Sequence, residues 1–375
     1  MNITNPKFDR EEIEQIQKCL DSGWVTQGPM VQAFEALIGR RHAASHALAT
    51  TSCTAALHLS TLALELGPGD EVIVPAFTWV TSAHCVEYVG ATVVFADVDL
   101  NTFNLDPAAV EAAITPRTKA IMAVHLFGKA APMDELKKLA IRHGLKIIED
   151  AACAIGTSYN GQPVGVIGDL GCFSFHPRKV ITTGEGGMVT TNDAKLAERV
   201  KWYRNHGATG PAFGADPSKP YTMSTFDVLG FNLRMSDIQA AVGVAQAAKL
   251  EGLLAERRRL ALRYSELLAE IGEVVLPTDD AGHTYQSYVI RLRKHDMTRR
   301  NLLMEHLAKN DIQTRPGTHA AHRLGYYVKK YAIDAAKFPN ACQAEDTTIT
   351  LPIFPDMTDA QSRFVVDELK SALTV

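Results

Sequence analysis

Hydrophobic positions follow two rhythms along the first two thirds of the chain. Short apolar runs such as "DEVIVP", "ATVVFADVD", "KAIMAVHLFG", "LKIIEDAA" and "GCFSFH" have strand length and read as strands buried on both faces. Between them lie helix-like stretches such as "PMDELKKLAIRHG". "TAALHLSTLALELG", from Thr54 to Gly67, sets Leu57, Leu62, Leu64 and Leu66 among alanines and predicts a mostly buried helix that ends at the glycine. Strands alternating with helices in this way predict an α/β domain with a largely parallel sheet. In such sheets, ligand-binding residues collect beyond the carboxyl ends of the strands.

From about Gln246 the texture changes. "AAKLEGLLAERRRLALRYSELLAEIG" predicts a long amphipathic helix, "QSYVIRL" a strand and "RRNLLMEHLAKNDI" another helix. "QAEDTTITLPIF" then leads into a closing helix from Thr358 onward. The pattern divides the chain into a large α/β domain over residues 1–250 and a small C-terminal α+β domain over residues 251–375.

Composition narrows the class. The chain has 375 residues, 46% hydrophobic and 21% charged, which suits a soluble globular protein with a large core. A formal net charge of −4 gives no reason to expect nucleic acid or an anionic membrane as partner. "MNITNPKFDREE" has no basic-then-apolar signal pattern, and no stretch approaches the roughly 20 apolar residues of a membrane span. Six cysteines (Cys19, Cys53, Cys85, Cys153, Cys172, Cys342) are scattered without metal-like spacing. No metal site is expected, and reduced thiols in the cytoplasm are the expectation.

Four segments carry candidate chemistry. "TTSCTAALHL" puts Thr51, Ser52 and Thr54 just before an apolar helix, whose free N–H groups and dipole suit a phosphate; simple N-capping by a hydroxyl is the plainer alternative. Trp79 in "PAFTWVTSA" is either a stacking plate for a flat ring or an ordinary core aromatic. Asp150 ends the apolar run "LKIIED", where an unpaired carboxylate is costly to bury; a ring cation would stabilise it, or it caps a neighbouring helix. Lys179, in "SFHPRKVITTGEGG", sits on a loop at a strand end, where its amine can form a Schiff base if it is held in neutral form. A phosphate-type helix start, a flat aromatic, a strand-end aspartate and a strand-end lysine together match the parts of pyridoxal 5′-phosphate: one phosphate, one aromatic ring, one ring nitrogen and one aldehyde.

These segments, with "SGWVTQGPMVQAFE", "GPGDEVIVPAFTWV", "DVDLNTFNLD", "VHLFGKAAPMDEL", "FSFHPRKVITTGEGGMVTTND", "RNHG", "GFNLRMSDIQAAVGVAQ" and "IQTRPGTHAAH", resemble the DegT/DnrJ/EryC1/StrS family of sugar-nucleotide aminotransferases, in particular its GDP-perosamine synthase type. The resemblance covers nearly the whole chain. It implies the fold type I architecture of pyridoxal-phosphate-dependent transferases: a large α/β domain with a mostly parallel central sheet and a smaller α+β domain. By matched position it implies that Lys179 carries the cofactor as a Schiff base and that Asp150 pairs with the pyridine nitrogen. Ser52, the Cys53 backbone, Thr54 and Ser174 fall on the phosphate site, and Trp79 on the aromatic that covers the ring. Asn232 matches an asparagine that reaches the phosphate of the neighbouring subunit, which implies a homodimer with shared active sites.

Two positions depart from the family's commonest pattern. Cys53 stands where glycine is usual, and Cys153 where a longer polar group sits near the cofactor's phenolic oxygen. Arg315, His319 and His322 in "RPGTHAAH" are candidate substrate contacts, the arginine for a carboxylate or diphosphate and the histidines for sugar hydroxyls or proton transfer. A loop that merely caps the small domain is the other reading. Glu185 and Arg204–Gly207 match as well, and each also reads as structural; His125 ends a strand, either beneath the cofactor or satisfying a core hydrogen bond. The implied activity transfers an amino group from L-glutamate to a nucleotide-linked 4-keto-6-deoxyhexose. A 3-ketosugar or keto-cyclitol acceptor is the alternative within the same chemistry. Dehydrating relatives replace the lysine by histidine, so Lys179 argues against dehydration. A regulatory or sensory protein of the same fold is the alternative from another class.

Overall fold

The computed structural model describes residues 1–210 and 218–374. The five apolar runs form β2 to β6 of a seven-stranded sheet that two further segments complete: β1 (His46–Thr50), β2 (Glu71–Pro75), β3 (Thr92–Ala96), β4 (Thr118–Val124), β5 (Lys146–Asp150), β6 (Leu170–Ser174) and β7 (Gly187–Thr191). They lie in the order β1-β7-β6-β5-β4-β2-β3. Strand β7 runs antiparallel to both neighbours, while the other pairings are parallel.

Successive side chains on a strand point to opposite faces, and both faces here are buried. Val72, Val74, Met122, Val124, Ile148, Cys172 and Val189 join one apolar cluster with Leu57, Leu59, Phe77 and Val86. Their sequence neighbours Ile73, Ile121, Ala123, Ile147, Phe173 and Met188 join a second cluster on the other face with Phe34 and Ile38. This is why the strands read as continuous apolar runs rather than alternating ones. It also sets two parities at the carboxyl end of β5. Asp150 shares the face of Ile148, and Glu149 the face of Ile147.

A third cluster takes Leu260, Tyr264, Tyr288, Ile290, Leu303, Ile349, Leu351, Val365 and Leu369. It packs around a small antiparallel sheet of β8 (Val274–Val275), β9 (Tyr288–Leu292) and β10 (Thr348–Leu351). The helix Asp237–Leu268 contributes to both the second and third clusters, so a cut at 250/251 falls inside one continuous helix. That helix starts nine residues before Gln246, because Ser236 and Gln239 form a capping box.

Other element ends also differ from the pattern's expectation. The helix expected to end at Gly67 spans Cys53–Ala63. Glu65 takes a left-handed φ of 59°, and the Leu66 N–H closes back on the Thr61 carbonyl, so Leu64 and Leu66 lie in the turn. "QAEDTTITLPIF" is half helix (Pro339–Thr347) and half strand.

Two buried polar centres hold these layers in register. Arg257, on the long helix, donates to the carbonyls of Tyr285 at 3.4 Å, Gln286 at 3.0 Å and Ile353 at 3.3 Å. Burial lowers its pKa to about 10, so it remains charged. On the far face of the sheet, His125 and Glu149 are both fully buried. His125 Nδ1 accepts from the Ala131 N–H at 3.0 Å, which leaves Nε2–H to donate to Glu149 Oε2 at 2.8 Å. Glu149 also accepts from the N–H groups of Gly165 at 2.7 Å and Gly168 at 2.6 Å. Burial alone would raise the Glu149 pKa, but these donors outweigh it and hold it below the ordinary 4.5.

Replacing Glu149 with alanine orphans three buried donors, and a loss of about 3–5 kcal/mol is expected in urea unfolding at neutral pH. Because the folded-state pKa is depressed, the stabilisation is full above about pH 4.5 and is lost as pH falls through the lower folded value. The Glu149→Ala protein should therefore show a flatter decline of stability below that pH than the wild type.

Candidate active site

The carboxyl ends of β4, β5 and β6 and the start of the helix Cys53–Ala63 open into one cavity of about 380 Å³, a size typical of small-molecule sites. Its wall brings together Ser52, Cys53, Thr54, Trp79, Asp150, Ser174, Lys179 and Arg315, drawn from segments up to 263 residues apart (315 − 52). A larger hollow of about 750 Å³ elsewhere is lined by Asp99, Asp106 and Asp280, and its lysine, Lys129, is tied to Asp280.

One end of the cavity is a helix start. Ser52 is the N-cap, and its Oγ accepts from the Ala55 N–H at 3.1 Å. The N–H groups of Cys53 and Thr54 precede the first intrahelical bond and are left available to an acceptor from outside the helix. The Cys53 thiol turns away to donate to the Cys172 carbonyl at 3.7 Å, and burial raises its pKa well above the ordinary thiol value. Only its backbone therefore addresses the cavity. Gly187, at the start of β7, lets this turn approach the sheet. A Cβ there would lie 2.4 Å from the Ser52 carbonyl carbon and oxygen and 2.5 Å from the Cys53 nitrogen. Ser174, at the end of β6, adds a hydroxyl to the same wall.

Asp150 is 5% exposed and projects from the end of β5 into the cavity. Its Oδ2 accepts from the Ser82 hydroxyl at 2.7 Å and its Oδ1 from the Ala152 N–H at 3.1 Å. Ser82 in turn is hydrogen-bonded to Thr78 at 2.9 Å. No lysine, arginine or histidine of the described residues forms an ion pair with Asp150. It caps no helix. Lys179 lies on the loop after β6, its N–H bonded to the His176 carbonyl at 2.8 Å. Its Nζ donates to the Cys153 thiol at 3.1 Å. Trp79 is 52% exposed and forms part of the wall, so it is not the core aromatic that residue frequencies favour.

The remaining candidates divide. Arg315 lines the cavity. His319 stands half-exposed at its mouth, its ring centroid 5.6 Å from that of Trp79. His322 does not reach the cavity, which corrects its assignment as a substrate contact. It is fully buried, with Nδ1 3.4 Å from the Ala76 carbonyl, Nε2 3.5 Å from the Cys342 sulfur and its ring packed on Phe338. Burial lowers its pKa, favouring the neutral ring. Asn232 is exposed and outside the cavity of its own chain; it bridges to Asn205. His125 lies on the opposite face of the sheet, and Arg204 is buried against Glu35 and the Ala49 carbonyl. Neither lines the cavity. Glu185 lines the cavity.

This donor set fits pyridoxal phosphate. Free N–H groups and a serine hydroxyl suit its phosphate, an aromatic plate its ring, a buried carboxylate without a cation its ring nitrogen, and a lysine amine its aldehyde. Ser82, Gln286 and Arg178 were not legible as site residues. Ser82 reaches Asp150 across 68 positions, and Gln286 lines the cavity from the C-terminal part of the chain. Neither carries a local signal. Arg178 had one: it directly precedes Lys179.

Comparison with known proteins gives the family of the chain. Residues 6–370 match the model of the DegT/DnrJ/EryC1/StrS aminotransferase family. The chain is 39% identical to the GDP-perosamine synthase of Caulobacter vibrioides over 377 aligned positions, covering 100% of this chain and 98% of that protein. It is 37% identical to the spore coat polysaccharide biosynthesis protein SpsC of Bacillus subtilis, covering 97% and 95%. Among solved structures, the PLP form of Spr1654 from Streptococcus pneumoniae superposes with a TM-score of 0.92 at 28% identity, covering 99% of this chain and 98% of that one.

Gly187→Ala tests the cradle. The added methyl collides with backbone, not a flexible side-chain end, so a stability loss of about 1–3 kcal/mol is expected. Affinity for pyridoxal phosphate, read by fluorescence quenching on titration into apoprotein, should fall at least tenfold. Unchanged affinity would mean that the turn before Cys53 does not hold the phosphate.

Proposed function

The chain belongs to the DegT/DnrJ/EryC1/StrS aminotransferase family, with the fold type I architecture of its pyridoxal-phosphate-dependent members, and we propose that it moves an amino group from L-glutamate to a nucleotide-linked 4-keto-6-deoxyhexose. The observation that carries this reading is the pairing of Lys179 and Asp150. A free amine and a buried carboxylate without a cation face one cavity that also holds a helix start. The similarity to a GDP-perosamine synthase and to a polysaccharide biosynthesis protein supports a sugar acceptor.

Bound pyridoxal phosphate supplies an aldehyde that takes up the amino group and a ring that accepts electrons from the adjacent carbon. In this reading the chain's residues do the rest. The N–H groups of Cys53 and Thr54 and the hydroxyls of Ser52 and Ser174 hold the phosphate. Trp79 covers one ring face. Asp150 would pair with the ring nitrogen, and Ser82 and the Ala152 N–H hold its carboxylate in position. Lys179 would anchor the cofactor through its amine, and the same amine, when free, would take the proton from the donor Cα. Glutamate leaves as its 2-keto acid. The reverse sequence on the ketosugar consumes its carbonyl oxygen as water and leaves an amine.

Arg315 lines the cavity and His319 packs near Trp79 of its wall, which supports both as substrate contacts. Asn232, exposed beside the apolar Phe226, Leu229 and Phe231, supports a homodimer in which it reaches the phosphate of the neighbouring subunit. No helix of the described residues is long and apolar enough to cross a membrane, and a cytoplasmic enzyme is the proposed setting.

The test is a pair of half-reactions. Protein loaded with pyridoxal phosphate should be yellow, and L-glutamate should replace its long-wavelength band by one at shorter wavelength as the amine form accumulates. A panel of nucleotide ketosugars is then scored for return of the first band, with a 4-keto-6-deoxyhexose expected to be fastest. Lys179→Ala should lose both the long-wavelength band and turnover by at least about 10⁴-fold. Turnover at the wild-type rate in that variant would overturn the role of the lysine.

A further inference from the structure

Two guanidinium groups share the wall with Lys179, and no carboxylate of the described residues pairs with them. Arg178 and Arg315 both line the cavity, and with Gln286 they also line a small adjoining hollow. Neither has an ion-pair partner or a side-chain hydrogen bond among the described residues. Arg323, by contrast, is paired with Glu345 and Asp346, and Arg204 with Glu35. Glu185 lines the same cavity but pairs with neither guanidinium. The two charges feel each other. Burial lowers the Arg315 pKa, and the positive charge of Arg178 lowers it further.

The backbone that presents Arg178 is pinned on both sides. Its N–H donates to His176 Nδ1 at 3.2 Å, and its carbonyl accepts from Gln286 Nε2 at 2.7 Å. The Gln286 carbonyl is in turn held by the buried Arg257 at 3.0 Å. An exposed guanidinium on a pinned backbone and a second guanidinium, both lining one cavity, form a receptor for a ligand with two anionic groups.

The position of the pair selects the ligand. Arg315 lines the same cavity as Cys153, whose sulfur is 3.1 Å from Lys179 Nζ, so it shares the wall of the reacting centre. For Lys179 to take the donor's Cα proton, that carbon must sit next to Nζ, and the α-carboxylate is bonded to it. A sugar diphosphate is separated from its keto carbon by the sugar ring and lies further away. We propose that Arg178 selects a dicarboxylic amino donor: it binds the side-chain carboxylate while Arg315 binds the α-carboxylate. The inference rests on the aminotransferase reading above and deepens it by assigning the residue that sets donor class.

The experiment compares L-glutamate with L-norvaline, which has the same carbon count but no side-chain carboxylate. Both are followed spectroscopically in the donor half-reaction of the cofactor-loaded enzyme. Arg178→Ala should lower kcat/KM for L-glutamate by roughly 10- to 100-fold, the scale of one charge-assisted hydrogen-bonded pair. Norvaline should change less than about threefold, and Arg178→Lys should recover part of the loss as a point charge. A second readout needs no reaction: calorimetric binding of glutarate to the loaded enzyme should weaken by the same factor, with butyrate unaffected. An equal loss for both amino acids, unchanged glutarate binding, or a defect confined to the ketosugar half-reaction would overturn the proposal. A wild type that ignores glutamate yet reacts with other amino acids would sink the glutamate assignment itself. Glutarate binding would still decide the role of Arg178.

Discussion

A carboxylate buried at the end of a strand without a cation is the constraint around which this protein is arranged. Asp150 lies at the carboxyl end of β5 in an apolar sheet, satisfied by one serine hydroxyl and one backbone N–H. Left without a countercharge, such a group is expensive to keep ionised. Everything else on that face fits a bound cationic ring. The helix start at Cys53, the plate of Trp79 and the amine of Lys179 surround the same space, and all descend from the parity that sends Asp150 and Glu149 to opposite faces.

That parity separates chemistry from stability. Glu149 and His125 form a closed set of hydrogen bonds on one face, with every donor matched. Asp150, one residue along, keeps its charge available. The C-terminal part contributes to the site through Arg257 and Gln286, which tie the third apolar cluster to the loop carrying Arg178 and Lys179. Placement of the reactive lysine is thus a property of both parts of the chain.

The sheet and the four central groups of the cavity were legible in the sequence, because each depends on local signals. Strand-length apolar runs betray burial on both faces, a hydroxyl before an apolar helix betrays a helix start, and a charge that ends an apolar run is conspicuous. What stayed hidden depends on long-range contact. Ser82 and Gln286 look like any polar residue until the fold brings them to Asp150 and Arg178. His322 misled for the converse reason. It shares a loop with Arg315 and His319, but the chain turns through Ala321–Arg323 and buries it against Phe338 and Cys342. The helix that stops at Ala63 shows a similar limit, since Glu65 adopts the left-handed conformation that the pattern assigns to a glycine.

The most direct measurement of the central claim is chemical trapping. The cofactor-loaded protein is reduced with borohydride, digested, and its peptides are mapped by mass. The account predicts a single pyridoxyl modification, on Lys179 within "SFHPRKVITTGEGG". A modification on any other lysine, or none, would contradict it.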